Sequence, residues 1–154
     1  MTDDESDLNL EEECSPGELE FWGLTFGESS PFLLNEAPEP VIYDLEERTA
    51  KLGEQIILFA KRIPFNPVNN RLIDQLVGAG TSVGANYCEA DDGVSRADFK
   101  HRIGICRKEA RETKFFLRMV STAEPGLKPD ARELWKEAHA LHLIFSRIWR
   151  STTL

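Results

Sequence analysis

From residue 44 onward, apolar residues return at alternating steps of four and three, the spacing that keeps one face of a helix turned inward. Leu45, Leu52, Ile56, Phe59 and Ile63 share such a seam, predicting a first helix over about residues 44–63, with Asp44 as its N-cap and Pro64 and Pro67 as its stop. A second helix, about 69–91, carries Leu72, Leu76, Ala79, Val83 and Asn86 on one stripe. Ile73, Val77, Gly80, Gly84 and Tyr87 form another stripe beside it. Ser95 stands as the N-cap of a third, about 96–122, on which Phe99, Ile103, Cys106, Ala110, Thr113, Leu117 and Val120 hold the rhythm until Glu124-Pro125-Gly126. The fourth, about 129–151, carries Ala131, Leu134, Ala138, Leu141, Phe145 and Ile148, with Trp135, His142 and Trp149 widening the stripe.

No segment alternates as a strand would, so the pattern predicts an all-α chain. Four helices joined by short Pro, Gly and Asp connections favour an antiparallel up-down-up-down bundle, and the sustained 3.5-residue period favours left-handed crossing. The bundle domain is expected over 41–154. Residues 1–40 form an irregular acidic tail, disordered or docked on a partner.

One stretch departs from ordinary helix composition. In QLVGAGTSVGANYCEADDG, residues 75 to 93, five of the eight positions from Gly78 to Ala85 are Gly or Ala. A phosphate-binding loop needs a preceding strand and GxxxxGK[ST] or GxGxxG, and GAGTSVGA has neither the lysine nor the strand. Glycine inside a helix costs about 1 kcal/mol relative to alanine. Close approach of neighbouring helices is the expected compensation.

Charge divides the chain sharply. Residues 1–40 hold 12 acids and no Lys or Arg, and the remainder holds 15 acids and 18 bases, so an average of −9 conceals a −12 tail on a +3 body. Within the tail, Phe21, Trp22, Leu24 and Phe26 sit among acids, a composition suited to docking on a partner or on the body's own basic surface. Three cysteines, Cys14, Cys88 and Cys106, without CxxC spacing, point to reduced thiols. With no apolar run of about 18 residues and no signal-peptide pattern, a cytoplasmic location without membrane association is expected.

Candidate chemistry is sparse. Asn86 falls on the core stripe with Glu89 one turn on, and Lys108, Glu109, Arg111 and Glu112 crowd one turn of the third helix. A satisfied polar network that fixes register accounts for them better than a pair of catalytic carboxylates. His139 and His142 are three apart but lack a third ligand, and Asp98-Phe99-Lys100-His101 is the nearest approach to a bundle-type metal motif. No catalytic residue, cofactor or metal is expected.

The stronger signal is the third helix's charge. Between Arg96 and Arg118 there are eight bases, Arg96, Lys100, Arg102, Arg107, Lys108, Arg111, Lys114 and Arg118, against three acids. Arg147 and Arg150 extend them. Such a face suits RNA or DNA backbone, and with no aromatic platform evident among the bases, contacts should be salt-sensitive and weakly sequence-specific.

RLIDQLVGAGTSVGANYCEA followed by DFKHRIGICRKEARETKFFLRMV resembles the four-helix bundle protein family, also known as the 23S rRNA intervening-sequence proteins, over about residues 43–150. Gln75-Leu76, Ser82, Asn86 with Glu89, Asp98-Phe99 and Lys108-Glu109-Ala110-Arg111-Glu112-Thr113 carry the likeness. The chain departs from it at Glu89-Ala90-Asp91-Asp92-Gly93, where the family has a glycine directly after the glutamate, and in its acidic tail. The resemblance implies ring-like homo-oligomers, typically pentamers. Some members are encoded within rRNA insertions, and related accessory proteins of diversity-generating retroelements serve a reverse transcriptase and bind nucleic acid. No catalytic residues carry over. Gln75, Ser82, Asn86, Glu89, Lys108, Glu109, Arg111 and Glu112 stand as a polar core or interface signature.

Two expectations follow. One is a non-enzymatic accessory or scaffold oligomer that presents third-helix bases to RNA or DNA. The other is a protein-interaction adaptor whose tail binds a protein partner, such as a reverse transcriptase, or covers that same basic surface.

Overall fold

The computed structural model describes residues 14–24 and 44–154; Phe26, one of the expected docking residues, lies outside them. The chain divides into two units, Met1–Ile42 and Tyr43–Leu154.

The described part of the first unit is not irregular. It holds a two-turn helix, α1 (Pro16–Trp22), where an irregular tail was expected. Its ends explain the difference. The Ser15 hydroxyl accepts from the Glu18 amide at 3.2 Å, and Pro16 opens the first turn. Gly23, at φ 69°, closes the last turn in the left-handed region that glycine tolerates. Its amide donates to the Glu20 carbonyl at 3.0 Å and the Leu24 amide to the Leu19 carbonyl at 2.8 Å, the double bond of a Schellman ending.

The second unit is built from α2 (Leu45–Ala60), α3 (Pro67–Asp91), α4 (Arg96–Ala123) and α5 (Lys128–Ser151), with a 3₁₀ turn over Pro125–Leu127. Among the described residues there is no strand. Each helix packs on the next, and α5 returns to α2. Asp44 caps α2 and Ser95 caps α4, each through its side chain. Two boundaries differ from expectation. The run after α2 tightens into i→i+3 bonds at Arg62 and Ile63, so the α-helix ends at Ala60. Further on, α3 starts at Pro67 because Asn66 caps it, a cap-plus-proline signal that the apolar spacing alone does not register.

The first seam packs as its spacing requires: Leu45, Leu52, Ile56, Phe59 and Ile63 are all buried. So are Leu76, Ala79 and Val83 of α3, Ile103, Cys106, Ala110, Thr113, Leu117 and Val120 of α4, and Ala131, Ala138, Leu141 and Phe145 of α5. One buried polar side chain fastens two helix ends. Asn69 donates to the Pro64 carbonyl at 2.9 Å and to Glu124 Oε1 at 2.8 Å, tying the start of α3 to the end of α4.

The thin stretch of α3 lies against α2. A Cβ added at Gly80 would stand 2.8 Å and 2.9 Å from the Ile56 γ-carbons, and one at Gly84 3.2 Å from the Thr49 hydroxyl. Gly53 of α2 completes the contact from the other side, where a Cβ would meet the Gly80 carbonyl at 3.7 Å. Gly78 is different. It is exposed, and a Cβ there meets nothing within 4 Å, so the bundle's own packing does not require it.

These two glycines should therefore respond oppositely. Gly80→Ala is expected to lower stability by about 1–3 kcal/mol through overpacking against Ile56, whereas Gly78→Ala should raise it by up to ~1 kcal/mol through helix propensity. Denaturant unfolding of the two variants checks this, and a gain in both would contradict it.

Candidate functional site

Two groups of polar and aromatic side chains stand out on α4, one toward α3 and one toward α5. Toward α3, Ser82 and Asn86 lie a turn apart. The Asn86 amide donates to the Ser82 carbonyl at 2.8 Å, while its oxygen accepts from Arg102 Nη1 at 3.4 Å. The same Arg102 nitrogen lies 2.6 Å from Glu89 Oε2. Arg102 therefore belongs with Asn86 and Glu89 rather than among the outward bases where the charge count placed it. Both members of this ion pair reach solvent, so it contributes at most about 1 kcal/mol. Its geometric effect is to fix the facing of α3 against α4. Directly below, the Cys106 thiol donates to the Val83 carbonyl at 3.5 Å, and burial pushes its pKa up to about 12. Cys106 is thus a neutral core group.

The rest of the polar signature does not join this lock. Lys108 pairs with Glu112 at 3.9 Å along the helix surface, Arg111 is exposed, and Gln75 is half-buried on α3. Glu109 is half-buried, and its carboxyl is raised above the ordinary range by desolvation, reinforced by Glu112 and opposed by Lys108.

Toward α5, the bases meet aromatic rings that the spacing of α4 alone did not reveal. Lys100 Nζ lies 4.5 Å from the centroid of the Trp149 ring, and the Arg107 guanidinium carbon lies 5.5 Å from it. Between them, Gly104 admits the indole edge, since a Cβ there would be 3.2 Å from Trp149 Nε1. An aromatic platform thus does sit among the bases, supplied by the last turns of α5. Farther along, Lys114 is buried with its ammonium 5.3 Å from the Trp135 ring, which withdraws it from the outward set. Trp135 in turn stacks on His139, centroids 4.9 Å apart and 8° from parallel. His142 is buried on the same helix, and among the described residues no three His, Cys, Asp or Glu side chains are placed to hold a metal.

The outward bases are a shorter roll than the sequence count. Arg96 is exposed and donates to the Thr153 carbonyl at 3.4 Å. Lys100 rests on Trp149, Arg111 is exposed, and Arg107 and Arg118 are half-buried. Arg147 and Arg150 are exposed on α5. Of the expected docking residues in the tail, Phe21 and Trp22 lie together on α1, rings edge-to-face at 4.9 Å, and Leu24 follows its closing glycine. No helix among the described residues is long and apolar enough to cross a membrane.

Comparison with known proteins is consistent with this architecture. Residues 43–147 match the model of the 23S rRNA-intervening sequence protein family. A solved structure from the S23 ribosomal protein family of Bacteroides thetaiotaomicron, a protein of unknown function, is similar with a TM-score of 0.61 and 24% identity. It covers 70% of this chain and 96% of its own. At that identity the likeness concerns the fold. No curated protein matches the chain.

Glu109 gives the polar signature a measurable pH dependence. A carboxyl held above its ordinary value of 4.5 costs stability once it ionises. Its favourable contribution is therefore complete below that ordinary value and lost as pH rises through the higher folded-state pKa. Glu109→Gln should stabilise the protein at neutral pH, with the gain shrinking to nothing in acid. Thermal unfolding of both forms across pH checks this, and a gain independent of pH would contradict it.

Proposed function

This chain belongs to the 23S rRNA-intervening sequence protein family, and on that premise we propose a non-enzymatic, homo-oligomeric scaffold or accessory protein that contacts RNA or DNA backbone through α4. The observation that carries this reading is uncompensated charge. Among the described residues, Arg96, Lys100 and Arg111 have no carboxylate partner, and they recur along one helix. Bases held in this way attract phosphate and release counterions when it binds.

The bundle is read as antiparallel, up-down-up-down and left-handed. Facing pairs in reversed order support the antiparallel part of this reading. Arg48 meets Glu137 at 2.7 Å while Arg62, later in the chain, meets Asp130 at 2.7 Å. Likewise Arg102 meets Asn86, while Cys106 meets the earlier Val83. Self-assembly, as a pentamer by family resemblance, draws support from apolar side chains left outward where α2 passes to α3. There Leu58, Phe65 and Val68 are 64%, 87% and 65% exposed.

A second reading is a protein-interaction adaptor. What favours it is α1 itself: a capped helix within an acidic segment that leaves Phe21 partly exposed, Trp22 beside it being buried, is suited to docking on a protein partner.

Mobility shifts over a salt series test the first reading. The full chain and residues 41–154 should bind RNA or DNA at low salt. Neutralising Arg96, Lys100 and Arg111 together should reduce the slope of log K against log salt by about 2 on single strands and about 3 on duplex. Absence of binding by either form would leave the adaptor reading. Mass measurement in solution should give about five times the 17.5 kDa chain, and a strict monomer would overturn the assembly.

A further inference from the structure

We infer that Trp149, with Lys100 and Arg107 beside it, is a stacking site for an unpaired nucleobase, so that the nucleic acid this protein prefers is single-stranded. The inference rests on the reading that α4 binds nucleic acid, and it names which form and which ring. Lys100, Gly104 and Arg107 follow one another at steps of four and three, on one face of α4. The central glycine lets the indole edge lie against the helix, with a cation one turn to either side. The ring is half-buried, so part of it remains accessible.

Extending that face in both directions brings in Arg96, one turn before Lys100, and Arg111, one turn after Arg107. The row from Arg96 to Arg111 spans about 22 Å at 1.5 Å per residue, enough to follow several nucleotides of backbone. A line of bases along a groove with an aromatic face set among them is the usual arrangement for single strands, in which bases stack and phosphates pair. A duplex keeps its bases stacked on each other and offers this ring nothing. Lys100 has no carboxylate partner among the described residues and rests on the ring. Its long side chain can move the ammonium from the indole to a phosphate, uncovering the face as it does so.

The tryptophans make the test specific. Trp22 and Trp135 are each 1% exposed, whereas Trp149 is accessible, so quenching by a bound base reports on Trp149. The full chain is titrated with a short oligothymidylate, with duplex DNA of the same length and with polyphosphate. Oligothymidylate is expected to quench tryptophan emission and bind more tightly than duplex. Trp149→Leu should weaken single-strand binding roughly tenfold or more while leaving duplex and polyphosphate binding in place, and Trp149→Phe should restore part of the loss. Should Trp149→Leu unfold, quenching of the unaltered chain decides the matter. Equal binding of single strand and duplex, with no quenching, overturns the stacking site and leaves the phosphate-binding reading standing. No binding of any of the three overturns both.

Discussion

The close approach of α3 to α2 is the constraint on which the rest of the bundle depends. Gly80 sits against Ile56 with no room for a single methyl group, Gly84 faces Thr49, and Gly53 answers from the opposite helix. Glycines inside helices are unfavourable by about 1 kcal/mol each. Here the cost is offset by burial of Ile56 and Leu52, both fully removed from solvent. Bulkier residues at those positions would force the two axes apart and open the seam along its length.

With α3 fixed on one side, its other side determines how α4 is presented. Asn86 and Glu89 hold Arg102, and the Cys106 thiol meets the Val83 carbonyl beneath them. That rotation sends Lys100, Gly104 and Arg107 toward α5, where Trp149 occupies the space the glycine leaves. The same small-residue device thus appears twice: Gly80 lets two helix backbones come together, and Gly104 lets the edge of an indole approach a helix. A chain of contacts therefore runs from the thin part of α3 to the basic face of α4.

Much of this was legible in the sequence, and the reasons for the rest are physical. Four-three spacing locates a buried seam because burial itself imposes the period, so residues such as Leu52, Ile103 and Phe145 could be named without a structure. Caps written in side chains, Asp44 and Ser95, were equally readable. Ser15-Pro16 and Gly23 carried the same kind of signal for α1, obscured by the acidic composition around them. What spacing along one helix could not show is which residue of another helix stands opposite. Trp149 is about 45 positions from Lys100 and Arg107, and nothing in the run of bases announces an aromatic partner. The same limit applies to Arg102, counted with the phosphate-facing bases, and to Lys114, which lies buried beside Trp135.

The central claim is that α3 is thin because α2 must lie against it, and a double-mutant cycle between Gly80 and Ile56 tests this most directly. Gly80→Ala should be destabilising in the native background and close to neutral once Ile56→Ala has removed the γ-carbons it would meet. The coupling energy should be about 1 kcal/mol or more. Additive effects of the two substitutions would contradict the account, since Gly80 would then be small for some reason other than its neighbour.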